Sequence, residues 1–206
     1  MTDQEKFWAG DFGTEYSGRN VGANILASNL ALFSDVFKRM SRINSVVELG
    51  SNIGLNLKAL ELLFPGQDQT AVEINTVAAK KIKESLPNAR VFNLAISDFN
   101  PSLLVGGPSD LALIKGVLIH INPDQLDVVY EKLYESSKKF ILICEYYNPT
   151  PDTVSYRGYE DKLFRRDFAG EMLDKFIDLK LVDYGFSYHR DLSFPQDDIS
   201  WFLLSK

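Results

Sequence analysis

The chain has 206 residues, 45% hydrophobic and 24% charged, which suits one domain that buries a sizeable core. Its net charge of −6, with no block of lysine or arginine, argues against nucleic acid, because phosphate binding leans on clustered positive charge. No apolar run reaches bilayer length, and the opening MTDQEKFWAGDFG lacks the basic end and apolar stretch of a signal peptide. The one cysteine, Cys144, lies in an apolar run and leaves no internal disulfide, so a soluble cytoplasmic protein without membrane partners is expected.

In chain order, the first clear pattern is a helical stripe of Leu26, Leu30, Phe33, Phe37 and Met40. SVVELG follows, β-branched and apolar, and ends at Gly50. IGLNLKALELLF then sets Ile53, Leu57, Leu60 and Phe64 on one face and stops at Pro65-Gly66. TAVEI reads as a second strand, and Asn75 is placed to cap a helix carrying Ala78, Ile82 and Leu86. ARVFNLA and DLALI read as the third and fourth strands. NPDQLDVVYEKLY opens with Asn122 as cap, Pro123 at the first helical position and Gln125 where a capping box needs it. KKFILICEYY is a fifth strand, almost continuously apolar as a central parallel strand is. The segment from Asn148 to Arg166 reads as a loop, after which Asp167 caps a helix that turns Phe168, Met172 and Phe176 inward. The ending, DLKLVDYGFSYHRDLSFPQDDISWFLLSK, offers two strands joined by a Pro-containing loop, an antiparallel hairpin at the sheet edge.

Alternating strands and helices predict right-handed crossovers and a parallel sheet covered on both faces. The expected fold is α/β and Rossmann-like: a mostly parallel seven-stranded sheet with an antiparallel C-terminal hairpin and an N-terminal helical extension. Class I S-adenosylmethionine-dependent methyltransferases use this architecture.

The first strand runs into ELGSNIG, of the form acidic-x-Gly-x-x-x-Gly. Gly50 and Gly54 let the backbone turn sharply and approach a ligand, and the next helix begins there. Glu48 can face the amino group of an amino-acid moiety, while Glu73, followed by Ile74 at the second strand's end, can accept both hydroxyls of a ribose. A dinucleotide fingerprint would need a glycine where Asn52 stands. S-adenosylmethionine has no phosphate and tolerates GSNIG, so it is the expected cofactor, with S-adenosylhomocysteine as product; a plain tight turn is the bland alternative. Ala95, Ile96 and Asp98 follow the third strand, where adenine would be held. Because Ala95 occupies the position directly after the strand, Asp98 or a backbone carbonyl is left to accept from the adenine amino group. Lys115, Gly116, Val117 and His120 follow the fourth strand, beneath the methionine part of the cofactor.

The fragments FWAGDFGTEYSGRN, ELGSNIGLNL, KGVLIHINPDQL, EYYNPTP, YRGYEDKLFRRDFAGEML and VDYGFSYHRDLSFPQDDISWFLL resemble the pseudaminic acid biosynthesis-associated methylase family, in order along nearly the whole chain. The stretch from Gln67 to Pro108 is looser. The resemblance implies a methyltransferase fold, S-adenosylmethionine and an association with bacterial nonulosonic-acid sugar pathways. It makes residues 1–42 an N-terminal helical lid on a single domain, 1–206, in which Phe12, Tyr16, Arg19 and Asn20 fold over the donor. Arg19 would hold the cofactor carboxylate and Tyr16 would stand near the sulfonium; a solvated surface helix is the alternative.

Methyl transfer needs an aligned nucleophile, exclusion of water and, for a hydroxyl acceptor, a base. His120 either packs on the cofactor or serves as that base, and His189 reaches the site only if its strand has the right pleat. Glu145, Tyr146 and Tyr147 end the fifth strand, at the carboxyl edge where open α/β sheets bind ligands. Residues 147–166 are then an acceptor-binding insertion that begins at Tyr147-Asn148. Its Arg157, Arg165 and Arg166 can bind a carboxylate or phosphate, or can pair with nearby acids on a solvated loop. No metal is called for. The expected function is methylation, at nitrogen or oxygen, of a small polar, anionic, sugar-derived acceptor such as a nonulosonic acid or nucleotide sugar. Methylation of an amine or amino-acid-derived metabolite is the alternative, as is a non-catalytic cofactor-binding partner.

Overall fold

Helices α1 (Asp3–Ala9), α2 (Asp11–Arg19) and α3 (Ala23–Phe37) precede β1 (Ser45–Leu49) in a computed structural model that describes residues 1–19, 22–156 and 158–206, with backbone alone at 159–161. α1 opens with a capping box: Thr2 Oγ1 accepts from the Glu5 N–H, and the Glu5 carboxylate accepts from the Thr2 N–H. Then come α4 (Leu55–Leu63), β2 (Asp68–Val72), α5 (Thr76–Ser85), β3 (Arg90–Phe92), β4 (Ser109–Lys115), α6 (Leu126–Ser136) and β5 (Ser137–Glu145). β6 (Asp152–Tyr156) and β7 (Tyr159–Arg165) form a separate two-stranded sheet, followed by α7 (Phe168–Lys175), β8 (Lys180–Ser187) and β9 (Ile199–Ser205).

The main sheet has seven strands in the order β3-β2-β1-β4-β5-β9-β8. β1 to β5 are mutually parallel, and β9 runs antiparallel to both β5 and β8, as the sequence leads one to expect. Successive side chains of a strand point to opposite faces, and both faces are covered. Val47, Ile114 and Ile143 face Leu133 and Met172 of α6 and α7. Val46, Leu113 and Leu142 face Phe33, Leu57 and Ile82 of α3, α4 and α5. Complete burial of such a side chain contributes about 1.5–3 kcal/mol, which explains why the strand segments read as unbroken apolar runs.

Asn75 caps α5 by accepting from the Val77 and Ala78 N–H groups, and Asp167 caps α7 through the Gly170 N–H. Two local expectations change. Asn122 caps a 3-10 turn, Pro123–Gln125, and α6 starts only at Leu126, so Gln125 forms no capping box. The segment expected as a loop from Asn148 to Arg166 contains the β6–β7 hairpin, paired from Asp152↔Arg165 to Tyr156↔Tyr159 with Gly158 at a left-handed φ of 85° in the turn. Arg157 and Asn20 lie outside the described residues.

Between β3 and β4 the chain crosses back over β1, so successive crossovers leave in opposite directions. A crevice opens where they part, at the carboxyl ends of β1 and β4.

Candidate functional site

A cavity of about 400 Å³ occupies that crevice. Its floor is the turn after β1. Gly50 has φ 79°, and a Cβ there would meet Val117 Cγ2 at 2.5 Å, so a side chain is excluded twice, by conformation and by contact. Asn52 also adopts positive φ, 47°, and lines the cavity with Gly50. Gly54 lies farther on, where it starts α4 against Ile82 and stays out of the lining.

Glu73, just past β2, faces the cavity and is 7% exposed. The Asn75 N–H donates to its Oε1 and the Asn52 N–H to its Oε2, each at 2.7 Å. These bonds fix the carboxylate rigidly and leave a lone pair on each oxygen for a ligand. Burial raises its pKa, against those same hydrogen bonds. Glu48 is wholly buried under the floor: Asn56 Nδ2 donates to its Oε1 at 2.6 Å, and burial pushes its pKa up to about 8. Glu48 Oε2 and Asn56 Oδ1 are both buried without a partner among the described residues, and Asn56 lines the cavity. Of the two, Asn56 Oδ1 is an acceptor at the cavity wall, costly to leave unmade unless a ligand donor meets it.

Ile74, Ala95, Ile96, Lys115, Gly116 and Val117 all line the cavity, as expected. Asp98 does not; it is exposed. At that end stands a group the sequence conceals. Ser97 Oγ donates to Glu5 Oε1 at 2.7 Å, which brings a carboxylate of α1 to the tip of β3. Of the lid residues expected over the donor, Tyr16 lines the cavity and Phe12 and Arg19 do not; Trp8, not foreseen, joins it. Trp8 and Tyr16 line it, ring centroids 5.3 Å apart, and the Trp8 Nε1 donor is buried with no partner among the described residues. Arg19 instead lies exposed, its guanidinium 5.8 Å from the Phe12 ring centroid, outside the lining.

His120 lines the cavity with its ring tilted against Trp8, centroids 4.6 Å apart. Its Nδ1 is 2.7 Å from the Lys162 carbonyl of β7. A carbonyl can only accept, so Nδ1 carries the proton and Nε2 keeps a lone pair. Burial lowers its pKa to about 4, outweighing that hydrogen bond; the ring is neutral at pH 7 and a weak base.

The residues expected at the acceptor divide. Tyr146 is half-buried beside Tyr16, Tyr156 and Asp197, and burial raises its pKa so that it stays a phenol. Glu145 is a structural group, 3% exposed: the Val117 and Leu118 N–H groups donate to its Oε1 at 2.9 Å, folding the turn after β4. Tyr147 points to the outer surface against Phe202, and Asn148 Nδ2 donates to the Thr150 carbonyl. Arg165 pairs with Asp152, and Arg166 with Glu171 at 2.7 Å; neither lines the cavity. His189 is exposed, bonded to Asp198 at 2.8 Å, and also lies outside it. In its place the β8–β9 loop brings Gln196, held by Asn29 Oδ1 of α3 at 3.1 Å, and Asp197 to the wall.

No family model matches the chain, and no curated protein matches its sequence. Solved structures match its fold. Mitomycin 7-O-methyltransferase MmcR is 14% identical with a TM-score of 0.70, over 100% of this chain and 61% of its own length. An S-adenosylmethionine-dependent methyltransferase from Clostridium acetobutylicum ATCC 824 is 11% identical with a TM-score of 0.64, over 94% of this chain and 97% of that one. The Burkholderia thailandensis 1,6-didemethyltoxoflavin-N1-methyltransferase, solved with 1,6-didemethyltoxoflavin and S-adenosylhomocysteine, is 16% identical with a TM-score of 0.67, over 94% and 84%. The fold is that of class I S-adenosylmethionine-dependent methyltransferases. Among the described residues, no helix is long and apolar enough to cross a membrane.

Proposed function

We propose that this chain is an S-adenosylmethionine-dependent methyltransferase acting on a small, polar, sugar-derived acceptor. The observation that carries the first part is Glu73, a rigidly held, buried carboxylate facing the cavity beside a turn that only glycine can make. When bound, S-adenosylmethionine supplies a methyl carbon activated by the neighbouring sulfonium. The chain's residues fit it: Glu73 takes the ribose hydroxyls on its remaining lone pairs, and Asn56 Oδ1 accepts from the amino group. Lys115 offers a charge to the carboxylate, and Glu5 with Ser97 closes the adenine end. The lid excludes water, which keeps the displacement in line and the donor unhydrolysed.

The sugar-pathway part rests on the sequence fragments that resemble the nonulosonic-acid methylases. Of the arginines behind its anionic part, Arg165 and Arg166 pair with Asp152 and Glu171, and Arg157 lies outside the described residues. Calorimetric titration with S-adenosylhomocysteine tests the cofactor claim. Wild-type protein binds it, and Glu73→Ala binds about tenfold or more weakly, since charge-assisted hydrogen bonds are lost. No binding by the wild type overturns the reading.

A further inference from the structure

Beyond the donor's own subsite, the rings of Trp8, Tyr16 and His120 line the cavity. Trp8 stands 5.3 Å from Tyr16 with the two rings nearly perpendicular, at 87°, and 4.6 Å from His120. Tyr156, 4.8 Å from His120, and Tyr146 lie outside the lining. The ionic groups that line the cavity are Glu5, Glu73, Asp197 and Lys115. Glu5 and Glu73 serve the adenosine end and Lys115 the amino-acid end, which leaves Asp197 as the charge facing an acceptor. No arginine is among the described residues that line the cavity.

Resting on the methyltransferase reading above, we propose that the acceptor presents a basic amino nitrogen, held in the corner between the Trp8 and Tyr16 rings with Asp197 at the rim. Aromatic faces attract cations, and a carboxylate beside them strengthens the selection. The amine enters as an ammonium and loses a proton to water at the rim beside Asp197. The neutral nitrogen then forms the new bond to the methyl carbon as the carbon–sulfur bond breaks, its electron pair staying on sulfur. Positive charge passes from sulfur to nitrogen, so rings and carboxylate act on charge that grows in the transition state. The product leaves as a methylated ammonium.

A hydroxyl acceptor would need a base at the same place. The cavity's imidazole is neutral His120, with its Nδ1 committed to Lys162 and a pKa near 4, which makes it a poor proton acceptor. Its Nε2 lone pair is suited to receive an N–H and orient the amine.

Choline and its uncharged carbon isostere, 3,3-dimethylbutan-1-ol, separate charge from shape. S-adenosylhomocysteine affinity is measured first; its absence overturns the methyltransferase reading beneath this proposal. Each probe is then titrated calorimetrically into the S-adenosylhomocysteine-saturated protein. Choline is expected to bind about tenfold more tightly than the isostere, as a desolvated cation–π site requires. That advantage falls severalfold in Asp197→Asn and in Tyr16→Leu. Asp197 is exposed, so its variant folds even if the other does not. Equal binding of the two probes, no binding of choline, or an advantage unchanged in Asp197→Asn overturns the proposal.

Discussion

Glu5 illustrates how one side chain serves two scales of the molecule. Its Oε2 accepts from the Thr2 N–H in a local capping box, while its Oε1 accepts from Ser97, ninety-two positions away, at the adenine end of the cavity. On the proposed function, a carboxylate there would accept from the exocyclic amino group of adenine. S-inosylhomocysteine, which carries a carbonyl in place of that amino group, is therefore expected to bind about tenfold more weakly than S-adenosylhomocysteine to the wild type. In Glu5→Ala the two ligands converge; competition titration measures both, and a preference that survives the substitution contradicts the assignment. Glu48 carries a second prediction. Its pKa is raised to about 8 by burial, so the folded state keeps a proton that the unfolded state releases above the model-peptide value. The unfolded chain then binds fewer protons, and stability falls as pH rises through the window between the ordinary carboxylate range and about 8. Urea unfolding of Glu48→Gln at several pH values is expected to show a shallower decline than the wild type. Gly50 and Glu73 were legible in the sequence because their positions at the cavity follow from strand ends, whereas Glu48, expected to face an amino group, lies wholly buried outside the lining. Glu5 was not legible, because the capping box fully accounts for Thr-x-x-Glu and its second partner is distant in the chain.

Among the elements, α1 and α2 are fastened by Asn75. Its Oδ1 caps α5, while its Nδ2 lies 3.2, 3.2 and 3.3 Å from the Trp8, Ala9 and Gly10 carbonyls and 3.1 Å from Thr14 Oγ1. The first two are the last carbonyls of α1, left over at a helix end, while the Gly10 carbonyl also accepts from the Thr14 N–H. Removing the side chain in Asn75→Ala is expected to cost about 1–2 kcal/mol, from the lost cap. Amide exchange across residues 3–19 should rise far more than in β1 or β4, as hydrogen-exchange mass spectrometry can read. The cap itself was legible from Asn75 at the strand–helix junction; its grip on the lid was not, since nothing local marks a residue as two-sided. The β6–β7 hairpin was missed for a related reason. Thr153, Val154 and Tyr156 carry strand character, but the prolines before them and the masked alternation of a half-buried, two-stranded sheet blur it. Asp167 and the C-terminal hairpin read clearly, because each is signalled within a few residues.

At the scale of the whole molecule, the doubly covered sheet is the stable body and the covers are the adjustable part. β1, β4 and β5 pair on both sides and are buried on both faces, whereas β6 and β7 pair only with each other. Native-state exchange should therefore be slowest in the three central strands, near the global unfolding limit, and faster by orders of magnitude in the hairpin. Phe33, fully buried between α3 and the sheet, tests the same hierarchy: Phe33→Ala is expected to destabilise by about 3–5 kcal/mol in denaturant unfolding. The fold was legible because unbroken apolar strands alternate with striped helices. The proposed acceptor wall was not, because Trp8 and Tyr16 come from one end of the chain and Asp197 from the other, and only the fold brings them to one cavity.

The latch at Asn75 also sets a sequence of events. It closes α1 over the end of the cavity that receives adenosine, and it does so next to Glu73, which that ligand engages. A nucleoside buried beneath a latched helix cannot leave until the helix lifts, whereas the rim at Asp197 stays open to solvent. If the chain is the methyltransferase proposed, ordered turnover is expected, with donor entering before acceptor and spent nucleoside departing last. Loosening the latch should then shorten the nucleoside's residence time in stopped-flow chase experiments.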